Sequence, residues 1–445
     1  MPVDLVLVNS KIFLRQGLVE AGLAIDGDKI VKIGKETNLP TASKKMNLDR
    51  HVVLPGLIDA HVHLRDQCLD YKEDFFTGTS AAANGGVTLV IDMPNNRPVT
   101  MSVESLKERM NTSSRRVIVN VAFYSAFPER IDEIECIVKE GAKGFKFFMS
   151  EKIGGVDPID HEAVLEVFRK VAYTHVPVAV HAEDASYMVS SLQKMKREGR
   201  NDLDAYLAVH SEEAEITAIK RILKIAEISG ARVHICHLTT GRGMEMVYEA
   251  KASGMKVSCE VTPHHLLLQS EFLREIGSFA LTNPPLRPKS DTEVLWTALI
   301  SGSIDILASD HAPHALEEKK KPSVWDVSPG FPGLETLLPL MLTKVNDGVL
   351  SLSRLVNAAA ERPAEIFCIE KRGRIEEGNY ADLTVVDVKK EWRIDASKFH
   401  SKAKFSPFDG WKVKGKPIKT FVNGRLIMDE GEIVAKPGEG RIIKG

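Results

Sequence analysis

Between Val52 and Ala308 the chain repeats one pattern eight times: a short apolar run rich in β-branched residues, then a stretch of helical periodicity. The runs are Val52–Ile58, Val87–Ile91, Val117–Phe123, Gly144–Phe148, Val176–Val180, Arg232–Ile235, Lys256–Val261 and Ile304–Ala308. Continuous apolar runs of this length suit strands covered on both faces, as in a parallel sheet under helices. Between them, Asp160 can cap a helix with Val164, Phe168 and Val171 on one face. Ser211 can cap another carrying Ile216, Ile219, Leu223 and Ala226, which Gly230 ends. Strands alternating with helices imply parallel βαβ units, and eight of them point to an α/β fold, a closed (β/α)8 TIM barrel. An open doubly wound sheet is the rival arrangement.

The two ends of the chain differ from this middle. Residues 1–53 hold short strand-like segments such as Val3–Val8, with a hairpin signal at Asp26-Gly27-Asp28. From residue 366 onward short strands return, at Ala381–Val388 and on both sides of Asn423-Gly424. The segments 1–53 and 366–445 are expected to pair into a small β-sandwich domain beside a catalytic barrel at 54–365.

The polar residues that follow the runs are the candidate site. His61 and His63 end the first run, and residues two apart on a strand share a face, so both imidazoles project together. Asp92 to Asn95 follow the second run, His181 and Glu183 the fifth, His237 the sixth, Thr262 to His265 the seventh and Asp310 to His314 the eighth. In a barrel all these ends share one face. Lys146 lies between Phe145 and Phe147 in a run that should be buried. A buried unpaired ammonium is very unfavourable, and burial shifts lysine toward the neutral amine, which takes up CO2 to give a carbamate. Together His61, His63, Lys146, His181, His237 and Asp310 match a two-metal hydrolase, in which each ion takes several N/O ligands. His175, His210, His264, His265 and His311 are read as structural.

Composition narrows the setting. A net charge of −2 in 445 residues gives no basic field for nucleic acid or a membrane surface. Five scattered cysteines without a Cys-x-x-Cys pair suit a reducing, cytoplasmic chain. No apolar run approaches the roughly 18 residues of a membrane span, and the start lacks the pattern of a secretory leader.

These residues resemble the amidohydrolase superfamily, in its cyclic-amide branch of dihydroorotases, hydantoinases or dihydropyrimidinases, and allantoinases. The resemblance covers nearly the whole chain, including Gly373–Gly378 ahead of Ala381-Asp382-Leu383. It implies two divalent metal ions, expected to be Zn2+, with His61, His63 and Asp310 on one and His181 and His237 on the other. An N6-carboxylated Lys146 bridges them, and Asp310 is the proton shuttle of a bridging hydroxide. The branch shares this ligand set, so the substrate rests on fewer positions. Arg65 in His-Val-His-Leu-Arg and His314 in Asp-His-Ala-Pro-His are the dihydroorotase forms, and Asn283–Arg287 and Gly330–Thr336 are similar to that family. By this resemblance Arg65, Asn95 and His314 hold a substrate carboxylate, while Asn283 and the backbone at Pro329 and Gly330 hold the ring.

The implied reaction is the interconversion of L-dihydroorotate and N-carbamoyl-L-aspartate in pyrimidine synthesis. A hydantoinase, dihydropyrimidinase or allantoinase is the alternative, and a non-catalytic scaffold a remoter one. Some bacterial dihydroorotases replace the strand-four lysine by a following aspartate; here Lys146 is taken as the bridge and Asp157 as a loop residue. The resemblance leaves open a homodimer and association with an aspartate transcarbamoylase. Ala315–Ser328 is expected to be a solvated loop at the pocket mouth.

Overall fold

The computed structural model describes residues 2–444, which form two sheets. The N-terminal segment supplies β1 (Val3–Leu14), β2 (Gly17–Asp26), β3 (Lys29–Gly34), β4 (Ala42–Asn47) and β5 (Val52–Pro55). The middle supplies β6 (Leu57–Val62), β7 (Val87–Asp92), β8 (Asn120–Ala126), β9 (Gly144–Phe148), β10 (Val178–His181), β11 (Val233–Ile235), β12 (Val257–Val261) and β13 (Ile306–Leu307). The C-terminal segment adds β14 (Leu383–Arg393), β15 (Lys412–Val422), β16 (Arg425–Asp429) and β17 (Glu432–Ile433).

Strands β6 to β13 are parallel and lie in sequence order. A doubly wound sheet reverses its strand order at a switch point, so this order excludes that rival. A parallel bridge between Val62 and His311, with the His63 N–H donating to the His311 carbonyl at 2.8 Å, joins last strand to first. Helices cover the outside. Asp160 caps the helix His161–Ala172 through the Ala163 N–H, and Val164, Phe168 and Val171 are buried beneath it. Ser211 stands at the start of the helix Glu212–Ser229, but its hydroxyl makes no capping bond. Glu212, Glu213 and Glu215 in the first turn supply the favourable charge there instead.

One sequence expectation changes. The run Val52–Ile58 is two strands: β5 belongs to the small sheet and β6 opens the barrel. The break falls at Gly56, where a β-carbon would come within 2.2 Å of Thr88 Oγ1. Only glycine lets the chain cross from one sheet to the other so close to β7.

The small sheet draws on both ends of the chain, because β5 pairs antiparallel with β14 through Val53 and Val385. The expected sandwich takes the form of one hydrogen-bonded sheet of nine strands, branched at β1, with Leu7, Ile12, Leu23, Ile25, Leu383 and Phe421 buried in its core. Asn423 and Gly424 both have positive φ, as a two-residue type I′ hairpin between β15 and β16 requires. The sheet is tied to the barrel by Asp382, which accepts from the Asn120 side chain at 3.0 Å and the Asn423 N–H at 2.6 Å. These ties leave the C-terminal ends of the barrel strands free to form a pocket. Among the described residues no helix is long and apolar enough to cross a membrane.

Candidate active site

A cavity of about 250 Å³ opens at those strand ends. His61, His63, Arg65, Asn95, Lys146, His181, His237, Asn283, Asp310, His314, Pro329 and Gly330 all line it. Phe148, Ser150, Glu151 and Ala312 complete the wall. Asp157 is exposed in the following loop, away from the cavity, and its side chain accepts from the Ile159 N–H.

The backbone is unusual where the chain leaves the strands. Arg65, His237 and Asp310 have φ of 54°, 33° and 46°. Non-glycine residues tolerate this region only when their surroundings fix them, and such outliers gather at functional sites. The fixing groups are visible. Asp92 accepts from Arg109 at 2.7 and 3.0 Å and from the Leu64 N–H at 2.8 Å, while Arg109 also donates to the Arg65 carbonyl at 2.7 Å. Asp59 accepts from the Ser309 and His61 N–H groups, and burial pushes its carboxyl up to about 7.

Hydrogen-bond partners also assign the ring protons of His61, His63 and His181. His61 donates from Nδ1 to Glu260, and His63 donates from Nδ1 to Asn95 Oδ1 at 2.7 Å. Both Nε2 lone pairs then face Asp310 Oδ1, each at 3.3 Å. His181 donates from Nε2 to Glu183 at 2.8 Å, which leaves its Nδ1 lone pair 3.0 Å from His237 Nε2. The Nε2 lone pairs of His61 and His63, turned toward the Asp310 carboxylate in a buried space, fit a cation between them, and His181 and His237 bring two more imidazole nitrogens together, so the donor set suits divalent metal ions. Lys146 is 1% exposed, with Nζ 3.1 Å from Cys236 Sγ and 5.1 Å from the Phe148 ring centre.

Electrostatics agree with this arrangement. Burial pulls His63 down to about 4 and His237 well below the usual imidazole range. His61 also lies close to Cys236 and Glu260. That grouping is a support rather than a metal site, because Glu260 engages the His61 Nδ1 proton and burial raises the Cys236 thiol far above its usual value.

On the other wall Arg65 is buried and donates through Nε to the Pro313 carbonyl at 3.3 Å. Its Nη2 lies 3.3 Å from His314 Nε2. Burial lowers its guanidinium to about 10, so it stays charged at neutral pH. Among the described residues it forms no ion pair with a carboxylate. His314, pulled by burial to about 3, is neutral and braces Arg65 through Nε2, while its Nδ1 faces Glu318 at 3.4 Å. Asn95 spends its carbonyl oxygen on His63, and Asn283 spends its own on the Tyr206 hydroxyl.

The residues to which sequence reasoning gave no role mostly hold the rings. Glu260, on β12, serves His61, His234 at 3.0 Å and the His237 N–H at 3.1 Å. Glu183 takes His181 on one oxygen and His210 at 2.8 Å on the other. Glu260 stands in an apolar run where an unpaired carboxylate is very unfavourable, which was the available signal. Of the histidines read as structural, His265 bonds Thr262 and the Pro284 carbonyl, and His311 accepts from the Gly333 N–H. His210 does more than fill space, since it fixes Glu183.

Comparison with known proteins matches the geometry. The model of the amidohydrolase family matches residues 52–427. A dihydroorotase of Methanothermobacter thermautotrophicus is 38% identical over 95% of this chain and 93% of its own. An L-hydantoinase of Paenarthrobacter aurescens is 33% identical over 99% of this chain and 98% of its own. The solved L-hydantoinase (dihydropyrimidinase) from Arthrobacter aurescens superposes with a TM-score of 0.96 over 100% of both chains, at 32% identity. With a family match spanning barrel and flanking strands, and full-length relatives above 30% identity, this chain belongs to the amidohydrolase family.

Proposed function

We propose that the protein is a dihydroorotase, which interconverts L-dihydroorotate and N-carbamoyl-L-aspartate by reversible hydrolysis of a ring amide. The observation that carries this reading is Arg65, a buried guanidinium on the cavity wall with no acid partner among the described residues. Dihydroorotate differs from dihydrouracil by one carboxylate, and a guanidinium is the group best suited to receive it. The dihydroorotase relative at 38% identity supports the same substrate.

His61, His63 and Asp310 are assigned to one divalent cation and His181 and His237 to a second, expected to be zinc, with Lys146 as an N6-carbamate between them. When bound, these ions supply Lewis-acid polarisation of the ring carbonyl and lower the pKa of the attacking water. The chain's own groups do the rest. Arg65, braced by His314, fixes the carboxylate end of the substrate. Asn283 and the backbone at Pro329 and Gly330 hold the opposite edge of the ring. The Asp310 carboxylate takes the proton of the attacking water and delivers it to the ring nitrogen that leaves. Glu260, Glu183 and Asn95 keep the rings in the tautomers this needs. The five cysteines form no disulfide, which suits a reducing cytoplasm.

A carboxylate-free cyclic amide is the second reading, favoured by the fold match to the solved L-hydantoinase. The deciding experiment compares dihydroorotate, dihydrouracil, hydantoin and allantoin at equal concentration on purified, zinc-supplemented protein. Preference for dihydroorotate supports the proposal; preference for a ring without a carboxylate moves the protein to the hydantoinase side.

A further inference from the structure

Lys319 is fully buried at the end of the short helix Leu316–Lys319. Its ammonium donates to the carbonyls of Ser328 at 2.8 Å, Gly330 at 2.9 Å and Leu281 at 3.4 Å. Among the described residues it forms no ion pair with a carboxylate. The Phe405 ring centre lies 6.0 Å from Nζ, with Phe279 packed edge-on against Phe405. A buried ammonium without a counter-charge is strongly unfavourable unless its three protons are used. Here three carbonyls take them, and they come from two separate stretches of chain. Gly330 closes the link by donating its own N–H to the Leu281 carbonyl at 2.7 Å. Both stretches run into the cavity, one through Pro329 and Gly330 and the other through Asn283.

We propose that Lys319 is a positioning residue for substrate binding: its ammonium clamps residues 281–283 to residues 328–330, so that they present one fixed edge to the ring. The proposal rests on reading the cavity as the substrate site. The neighbouring residue serves the opposite wall. Glu318 accepts from Lys72 at 2.8 Å and Tyr71 at 3.1 Å and faces His314, which braces Arg65. One turn of helix therefore fixes both ends of the pocket, and the segment 315–328 is anchored rather than merely solvated.

The titratable groups facing Lys319 are Glu318 on its own helix, which is charged, and His314, which is neutral across the physiological range. Burial draws the Lys319 amine down to about 7, so the ammonium is present below that pH and lost above it. A neutral amine has two protons for three carbonyls, and the clamp loosens.

The test is Lys319→Met on the metal-loaded protein, read by amide hydrogen exchange and by kinetics. Exchange at residues 328–331 and the KM for L-dihydroorotate are each expected to rise about tenfold, with kcat and bound metal within a factor of about three of the parent. Unchanged exchange together with unchanged KM overturns the proposal. If Lys319→Met does not fold, Lys319→Gln, with two donor protons for three carbonyls, decides by the same readouts: both are expected to rise, and parent-like exchange together with parent-like KM overturns the clamp. Should dihydroorotate prove not to be a substrate, the exchange measurement still judges Lys319 while the substrate comparison judges the function.

Discussion

His61 turns the Nε2 lone pair of its ring toward Oδ1 of Asp310 at 3.3 Å, two electron-rich atoms facing each other in a buried space. The arrangement is repulsive unless a cation lies between them. It exists because Glu260 fixes the ring from behind by taking the Nδ1 proton. The metal site is thus prepared one layer deeper than its ligands.

Glu260→Ala should therefore weaken metal binding although Glu260 is not assigned as a ligand. Loss of such outer partners typically costs about 10- to 100-fold in metal affinity. It also strands His234 and the His237 N–H, at about 1–3 kcal/mol for an unsatisfied buried group. Metal content after dialysis against a weak chelator, with a thermal melt, checks both. Parent-like retention and stability would refute the support role.

Asp310→Asn keeps the shape of the side chain and removes its basicity. Turnover is expected to fall by about 10²–10⁴-fold, the range for a positioned acid–base group. Some metal should remain, because the imidazoles of His61 and His63 are untouched. A near-normal kcat at full metal loading would remove Asp310 from the proton path.

Arg65→Met separates substrate from chemistry. The KM for dihydroorotate should rise by about 10- to 100-fold, the loss of a charge-assisted pair worth about 1.5–3 kcal/mol. Activity on dihydrouracil, which has no carboxylate, should hardly change. If both substrates respond alike, Arg65 supports the fold of the strand end and does not read the ligand.

Much of this was legible in the sequence, for a physical reason. The barrel strands are buried on both faces, so they appear as unbroken apolar runs, and polar residues just beyond them, such as His61 and Asp310, stand out. Gly56 hid the change of sheet, because an apolar run continues straight through it. Glu260 was passed over, and Glu183 was named without a role, because a deciding partner is distant in sequence: Glu260 meets His61 across the barrel, and Glu183 meets His210 as well as its neighbour His181. Asn95 and His314 were named from the sequence, but not their neighbours. Both reach the cavity, yet their near contacts are His63 and Arg65, which only coordinates reveal.

Lys146→Ala tests the carbamate. The side chain is buried beside Cys236, and among the described residues it forms no ion pair with a carboxylate. The variant should be inactive, and a short carboxylic acid such as acetate or propionate should restore part of the activity by supplying two oxygens where the carbamate stood. Full activity without any added acid would show that Lys146 bridges nothing.

His265 is buried, with Nδ1 facing the Thr262 hydroxyl at 2.8 Å and Nε2 donating to the Pro284 carbonyl at 3.1 Å. Burial pulls it from 6.5 down to about 4. Between those values the unfolded chain binds a proton that the folded protein refuses. The stability due to this group is therefore complete above about pH 6.5 and is lost as the pH falls toward 4. From pH 7 to pH 5 the loss is on the order of 2 kcal/mol, since each pH unit crossed between the two values costs about 1.4 kcal/mol. His265→Gln lacks the titrating ring, so its stability should fall less over the same interval, even if it starts lower at pH 7. Urea unfolding of both proteins at pH 7 and pH 5, at fixed metal loading, measures the two slopes. Equal slopes would mean that the acid sensitivity belongs to other groups, with His264, also held well below its usual value by burial, the next to replace.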